Sequence, residues 1–530
     1  MNEQHTKPRN PWPALWAMII GFFMILVDST IVSIANPTIL EKLHTDITSV
    51  LWATSAYLLA YAVPLLITGR LGDRFGPRTM YLTGLAVFTL ASLWCGLSQD
   101  IGTLILARTV QGLGAGMLTP QTMAVITRTF PPSQRGAALG LWGATAGVAT
   151  LVGPIAGGLL VDSLGWEWIF FVNVPVGVIG FVLAWMLVPK LETHSHRFDW
   201  LGVLLSGAGL FLIVFGIQEG ESYDWGTITG PITVWGLIIV GLVVFTEFIV
   251  WQWFNKREPL VPLRLFADRN FSLGNLAISA TGAAIVALPL PLVFYYQVAR
   301  GMTPTQGALM FIPMAIVTGI ASPIVGRLSD RMNPKWLTVA GGAIIVVALY
   351  LALMLMTPDA PIWQLLIPSG LLGLGMAGIW VPVGSTVTRN LPLADAGAGS
   401  GVYNTTRQMG SVLGSAAITA LLNARLAAEL PGFNAEQAEA AAKATGSIPP
   451  AVIEGFSRAM SQAMWLPLIG FGITGLVALF FAKPKVTVDW SASANAKAKV
   501  KPRQAGQATA PAPDAPAASA EPVLADESAP

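Results

Sequence analysis

"TGRLGDRFGPRTM", residues 68–80, sets four charged side chains, Arg70, Asp73, Arg74 and Arg78, between two runs that carry almost none. A second stretch, "GRLSDRMNPKW", residues 326–336, repeats it. Gly69, Arg70, Leu71, Asp73, Arg74, Pro77 and Arg78 meet Gly326, Arg327, Leu328, Asp330, Arg331, Pro334 and Lys335, each 257 positions further on. Gly76 meets Asn333, and glycine and asparagine are the residues that most readily take positive φ. Seven matches at one offset, in what hydropathy makes equivalent loops, read as an internal repeat of two halves.

What surrounds these loops is apolar. Of 530 residues 54% are hydrophobic and 11% charged, with a mean hydropathy of +0.63. Soluble domains carry about 25% charge, so one soluble core cannot absorb this surface and the chain reads as an integral membrane protein. The net charge of +2 comes from scattered basic residues, which gives no nucleic-acid surface. The single cysteine, Cys95, excludes a disulfide framework or a Cys-based metal site within one chain. The N-terminal apolar run from Pro13 continues past Asp28 with no A-x-A-like cleavage site, so no cleavable signal peptide is expected.

A bilayer core about 30 Å thick needs about 20 mostly apolar residues per helix. Fourteen runs qualify: 13–36, 50–69, 79–98, 103–127, 136–161, 167–188, 199–217, 231–253, 271–298, 305–326, 336–356, 362–388, 396–424 and 461–482. With a cytoplasmic N-terminus, the inner loops hold most Arg and Lys, among them Arg70, Arg128, Arg135, Arg264 and Arg327, while Asp100, Asp162, Glu219 and Asp224 collect outside. That asymmetry predicts both termini on the cytoplasmic side of the plasma membrane. The expected organisation is a cytoplasmic N-terminus (1–12), a six-helix bundle (13–188), a linker with two inserted helices (189–270), a second six-helix bundle (271–482) with an outer loop (425–460), and a disordered cytoplasmic tail (483–530).

Repeat, span count and loop pattern together resemble the fourteen-helix drug:proton antiporter branch of the major facilitator superfamily, the QacA and EmrB type, over residues 13–482. Its loop pattern, G-x-L-a-D-r-x-G-r-k, is met by Gly69, Leu71, Asp73, Arg74, Gly76 and Arg78, with Pro77 departing where a basic residue is usual. The resemblance implies an all-α polytopic fold of two pseudo-symmetric six-helix bundles plus two inserted helices. It also implies that this loop, with Arg70 and the twin's Arg327, Asp330 and Arg331, latches the halves together on the cytoplasmic side. A carboxylate at a helix N-terminus is favoured by the dipole, and Arg70 or Arg74 can pair with Asp73. A purely topogenic role explains the arginines but neither Asp73, Gly76 nor the twin.

Asp28 interrupts "GFFMILVDSTIVSIANP" in the first helix, where an ionised carboxylate must face the bundle interior or a wet cavity. The stretch resembles the signature D-x-T-I-V-N-I-A-x-P, met by Asp28, Thr30, Ile31, Val32, Ile34, Ala35 and Pro37, with Ser33 in place of Asn. Asp28 is therefore expected to carry or sense a coupling proton, the alternative being an Asp merely hydrogen-bonded in the bundle. In the fourth helix Arg108, Gln111, Gly112 and Gly114 match R-x-x-q-G-x-g. Because Arg does not readily lose its proton, Arg108 is expected to tune that acid, or else to cap backbone carbonyls. Gly153, Pro154, Gly157 and Gly158 match the antiporter motif of the fifth helix, where small residues permit close packing and Pro154 a bend.

Multidrug cavities bind by shape-tolerant apolar and aromatic contact with an occasional charge. Tyr57, Gln111, Tyr295, Gln297, Asn404 and Arg407 are the candidate cavity residues. Asp28 is the one acid deep in the spans of the two bundles, which suits lipophilic monocations or neutral amphiphiles better than dications. The expected activity is proton-coupled export by alternating access, with export of one endogenous lipid or siderophore as the alternative. A channel fits poorly because Asp28 has no twin, the offset carrying it onto Ile285. An enzyme fits poorly because the four histidines, at 5, 44, 194 and 196, lie outside the apolar runs. No G-x-x-x-x-G-K-[ST] occurs, so the expected energy source is the proton gradient, without cofactor or metal. Expected partners are a lipophilic small molecule, protons and membrane lipids, with no nucleic acid, and the chain is expected to be a monomer.

Overall fold

The computed structural model describes residues 10–45, 47–191, 193, 199–220, 223–255, 259–430 and 449–483. The tail expected from 483 lies, from 484 onward, outside the described residues.

The first half runs through α1 (Trp12–Lys42), α2 (Ile47–Ala62), α3 (Leu65–Phe75), α4 (Pro77–Gly96), α5 (Ile101–Thr129), α6 (Pro132–Leu164), α7 (Trp168–Phe171) and α8 (Asn173–Leu187). The breaks have local causes. α2 and α3 meet at Pro64 with a 45° bend between Trp52–Ala62 and Leu65–Phe75, as expected where proline removes a ladder donor. Gly76, at φ 90°, separates α3 from α4, and Pro77 occupies the first position of α4, where its missing N–H costs nothing. The loop's departure from the family pattern thus becomes a helix start. Asp100 caps α5 by accepting from the Thr103 N–H at 2.8 Å.

The inserted pair is α9 (Trp200–Gln218) and α10 (Val234–Phe254), joined through a two-stranded hairpin, β1 (Thr227–Thr229) and β2 (Ile232–Thr233). Asp199 fastens the pair: it accepts from Gly202 N at 2.9 Å, Trp251 Nε1 at 2.8 Å, Gln252 Nε2 at 2.8 Å and Leu260 N at 3.3 Å. Burial alone would push its carboxyl up, but these four donors outweigh it and hold the group below the usual carboxylate range.

The second half follows as α11 (Arg269–Ala287), α12 (Pro289–Phe294), a π-turn at Tyr295–Ala299, α13 (Pro304–Leu309), α14 (Ile312–Arg331), α15 (Pro334–Leu355), α16 (Ile362–Arg389), α17 (Ala396–Glu429), α18 (Pro450–Ala463) and α19 (Trp465–Ala478). α17 extends to Glu429 and α18 begins at Pro450, so helix occupies both ends of the stretch read as an outer loop from 425 to 460, and 431–448 lie outside the described residues.

Among the described residues twelve helices are long and apolar enough to cross a membrane, or thirteen if the bent α2–α3 pair counts as one span. The expected fourteen is not reached on length and composition. The remaining expected run, 136–161, falls within the 33-residue α6.

Glycine sets how closely helices approach. A Cβ on Gly114 would lie 2.6 Å from Phe88 N and 2.9 Å from Gly84 O, so α4 and α5 touch backbone to backbone. Gly114→Val is expected to lower the stability of the purified protein by about 1–3 kcal/mol, the usual cost of overpacking, read as a fall in thermal unfolding midpoint. An unchanged midpoint would show that this contact is loose.

Candidate functional site

Two arrangements stand out, one at the end that carries Arg70 and Arg327 (the basic end), the other midway through the first half.

At the basic end each half grips the other through an aspartate. Asp73, near the C-terminus of α3, accepts from Gly397 N and Ala398 N, both at 2.9 Å, at the start of α17. Its twin Asp330, near the end of α14, accepts from Gly136 N at 2.7 Å and Ala137 N at 3.0 Å, near the start of α6. Asp73 thus sits at the N-terminus of α17, where free amides and the dipole favour negative charge, and Asp330 lies against the second turn of α6. Backbones close in around them: a Cβ on Gly69 would lie 2.5 Å from Gly397 O, and one on Gly326 2.4 Å from Gly136 O.

The arginines divide this work unevenly. Arg70 is buried, 3.8 Å from Asp73 and 3.9 Å from Asp395, while Arg128 on α5 comes closer to Asp73, at 3.4 Å. Arg74 stands over the Phe75 ring at 5.2 Å, and Arg78 donates to the Trp185 carbonyl. Arg327 and Arg331 are exposed, so the repeat carries over the aspartate's role and not the arginines'. Arg135, read from sequence only as part of the charge bias, reaches from α6 to the Thr388 carbonyl at 3.1 Å and so also ties the halves.

Midway along α1, Asp28 is fully buried and receives three donors. Arg108 Nη1 lies 2.6 Å from Oδ2, and Gln111 Nε2 and Asn173 Nδ2 donate to Oδ1 at 2.8 and 2.9 Å. Gln111 also donates to Ser92 Oγ at 2.6 Å, so one polar knot joins α1, α4, α5 and α8. Gln111, expected in a substrate cavity, is here a ligand of the carboxylate. Asn173 and Ser92 were missed by residue-level reading, although an amide inside the apolar run "FFVNVPVG" is a usable signal. Only Nη1 of Arg108 finds hydrogen-bond acceptors; its plane instead stacks over the Tyr57 ring, 4.0 Å from the centroid.

Tyr57 is the wall between that knot and a cavity of about 310 Å³ between the halves. The cavity is lined from α1 by Ile25, Leu26 and Ser29, from α2 by Tyr57, Leu58 and Tyr61, from α11 by Ile285 and Val286, and along α17 from Arg407 to Asn423. Ile217, Gln218 and Trp225 bring the inserted pair to its rim. Of the six candidate cavity residues, Tyr57 and Arg407 line it. Tyr295 is instead buried in the second half, donating to the Thr357 carbonyl at 2.6 Å, and Gln297 lies in the π-turn. Asn404 is buried one turn below Gln408 and donates to the Ser400 carbonyl at 2.9 Å. These three lie outside the lining of this cavity, since polarity along a helix does not say which of its sides faces an opening.

In α6, Gly153 makes a close approach to α1, a Cβ there falling 1.9 Å from Thr30 Oγ1, while one on Gly158 would meet nothing within 4 Å. Gly157 is buried, and the helix continues through 154 without interruption.

The family model of the Major Facilitator Superfamily matches residues 18–415. The chain belongs to the Major Facilitator Superfamily. It is therefore a multi-pass membrane transporter, and the expected major facilitator fold stands, with twelve or thirteen candidate spans among the described residues. The chain is 54% identical over 475 residues to an uncharacterized MFS-type transporter of Mycobacterium tuberculosis, covering 89% of this chain and 81% of the relative. It is 32% identical over 454 residues to the tetracenomycin C resistance and export protein of Streptomyces glaucescens, covering 83% of each. Among solved structures, a proton:xylose symporter superposes with a TM-score of 0.59 at 13% identity, covering 90% of this chain and 96% of that one, a likeness of fold.

Proposed function

We propose that this superfamily member exports lipophilic small molecules across the plasma membrane by alternating access, taking up protons in exchange through Asp28. The reading rests on one arrangement: a fully buried carboxylate paired with Arg108, separated from a cavity between two halves by the single ring of Tyr57. Protonating Asp28 releases Arg108, which must then find other partners, and the ring it stacks on is part of the cavity wall. Proton occupancy and cavity shape are thereby linked through contiguous contacts. The latch at the basic end supplies the second requirement, a closed state that can part. The similarity to an antibiotic resistance and export protein supports the direction of transport. In this reading both termini are cytoplasmic, the chain works as a monomer, and the proton gradient is its only energy source.

The test uses purified protein in vesicles with an imposed pH gradient and a panel of lipophilic dyes. Accumulation is expected only while the gradient lasts, and is expected to collapse on adding a protonophore. Accumulation indifferent to the gradient would sink proton coupling.

A further inference from the structure

We propose that the cavity is selective for amphiphiles with an oxyanion head group, a carboxylate or phosphate, bound by Arg407 on α17. This deepens the export reading and rests on the cavity being the substrate site.

Among the described residues, Arg407 is the one charged residue lining the cavity. Guanidinium does not lose its proton at any working pH, so the wall carries a fixed positive charge. Among the described residues no carboxylate lies within ion-pair distance of it. Its Nη2 donates to Tyr61 Oη at 3.3 Å, and its plane stands 6.0 Å from the Trp380 ring centroid. Nε is buried and finds no hydrogen-bond partner among the described residues. A cation held in an apolar cleft with donors unfilled costs free energy that an anion with matching geometry recovers, and a planar fork suits carboxylate or phosphate.

The acid that sequence reading offered to cationic substrates does not face the opening. Asp28 lies behind Tyr57 with all its partners in place, and Glu219, next to the lining Gln218, is buried and interacts with a neighbour of its own. The rest of the cavity suits a tail. Leu26, Leu58, Ile285 and Val286 form an apolar face, and along α17 the polar groups Ser411, Ser415 and Thr419 step away from Arg407 at helical spacing. The cavity is thus amphipathic, with its charge at one end of that polar stripe. The monocation expected from sequence would meet like charge here.

The test is binding of three fluorescent probes to the full-length purified protein. They share one dansyl-alkyl tail and end in a carboxylate, a methyl ester or a trimethylammonium. The carboxylate is expected to bind at least about tenfold more tightly than the ammonium, with the ester between. Arg407→Gln is expected to bring carboxylate and ammonium to similar affinity, and Arg407→Lys, which keeps charge without the fork, to retain the order with a smaller ratio. Gln408→Glu, nearly isosteric and on the same wall, cancels the Arg407 charge and is expected to bring carboxylate and ammonium to similar affinity as well; it decides the matter should Arg407→Gln not fold.

Tighter ammonium binding by the wild type would overturn the proposal, and so would an unchanged order in Gln408→Glu or in folded Arg407→Gln. If the ammonium probe both binds best and accumulates under the pH gradient, export stands and the head-group selectivity falls. If none of the three binds, both fall.

Discussion

Asp28→Asn is expected to cut gradient-driven dye accumulation in vesicles by at least about tenfold, to the level seen without a gradient, because the amide keeps the shape but cannot take up a proton. The same change removes the counter-charge of Arg108, which is 1% exposed. Breaking a buried pair from one side costs about 3–5 kcal/mol, so lost transport alone could report misfolding. The double variant Asp28→Asn with Arg108→Gln separates the two. Removing both charges is expected to restore most of the thermal stability and none of the gradient dependence. Transport recovering together with stability would reduce Asp28 to a structural partner of Arg108.

Gly69→Val should be as severe by a different route. The added atoms would fall 2.5 Å from the Gly397 carbonyl oxygen and 2.9 Å from Gly401 Cα, both backbone and both in the opposite half. Neither can yield as a side chain would, so the basic end cannot close as the structure has it. The site lies where the halves meet, so the variant is expected to fold while losing the conformation seen here. A Ser415→Cys reporter on the cavity wall, in a background where the buried Cys95 is replaced by Ala, is expected to lose at least about tenfold in labelling rate by an impermeant reagent added from the side opposite the basic end on substituting Gly69, since access from that side follows the population of the conformation seen here. Gly472→Ala, whose Cβ would have Val346 Cγ2 as nearest atom at 3.8 Å, is expected to change nothing. Unaltered labelling in Gly69→Val would mean that the two halves part without using this contact.

The repeat and the hydropathy made the fold legible because membrane helices must be long and apolar wherever they pack, and that leaves a record along the chain. Asp28, Arg108 and Gln111 were legible as polar groups in apolar runs; their convergence on one carboxylate was not, because it depends on how α1, α5 and α8 face each other. Asp73 was legible as a latch group, yet its partners are backbone amides of α17, more than 320 positions away, and amides have no letter in a sequence. Arg128 and Arg135 were hidden for the opposite reason. Positively charged residues are common beside any membrane-facing end, so the two that bridge elements look like the many that only set orientation. Tyr295, Gln297 and Asn404, legible as polar groups within apolar runs, do not line the cavity of this structure, because the sequence does not record which side of a helix faces it.

The two carboxylate clasps have a mechanical corollary. Asp73 reaches from the first half into the second and Asp330 from the second into the first. A lopsided swing that freed one would leave the other as a pivot, still fastened. On the proposed alternating-access reading, separation would therefore favour concerted release of both, an abrupt changeover in place of a graded leak with half-parted forms scarce.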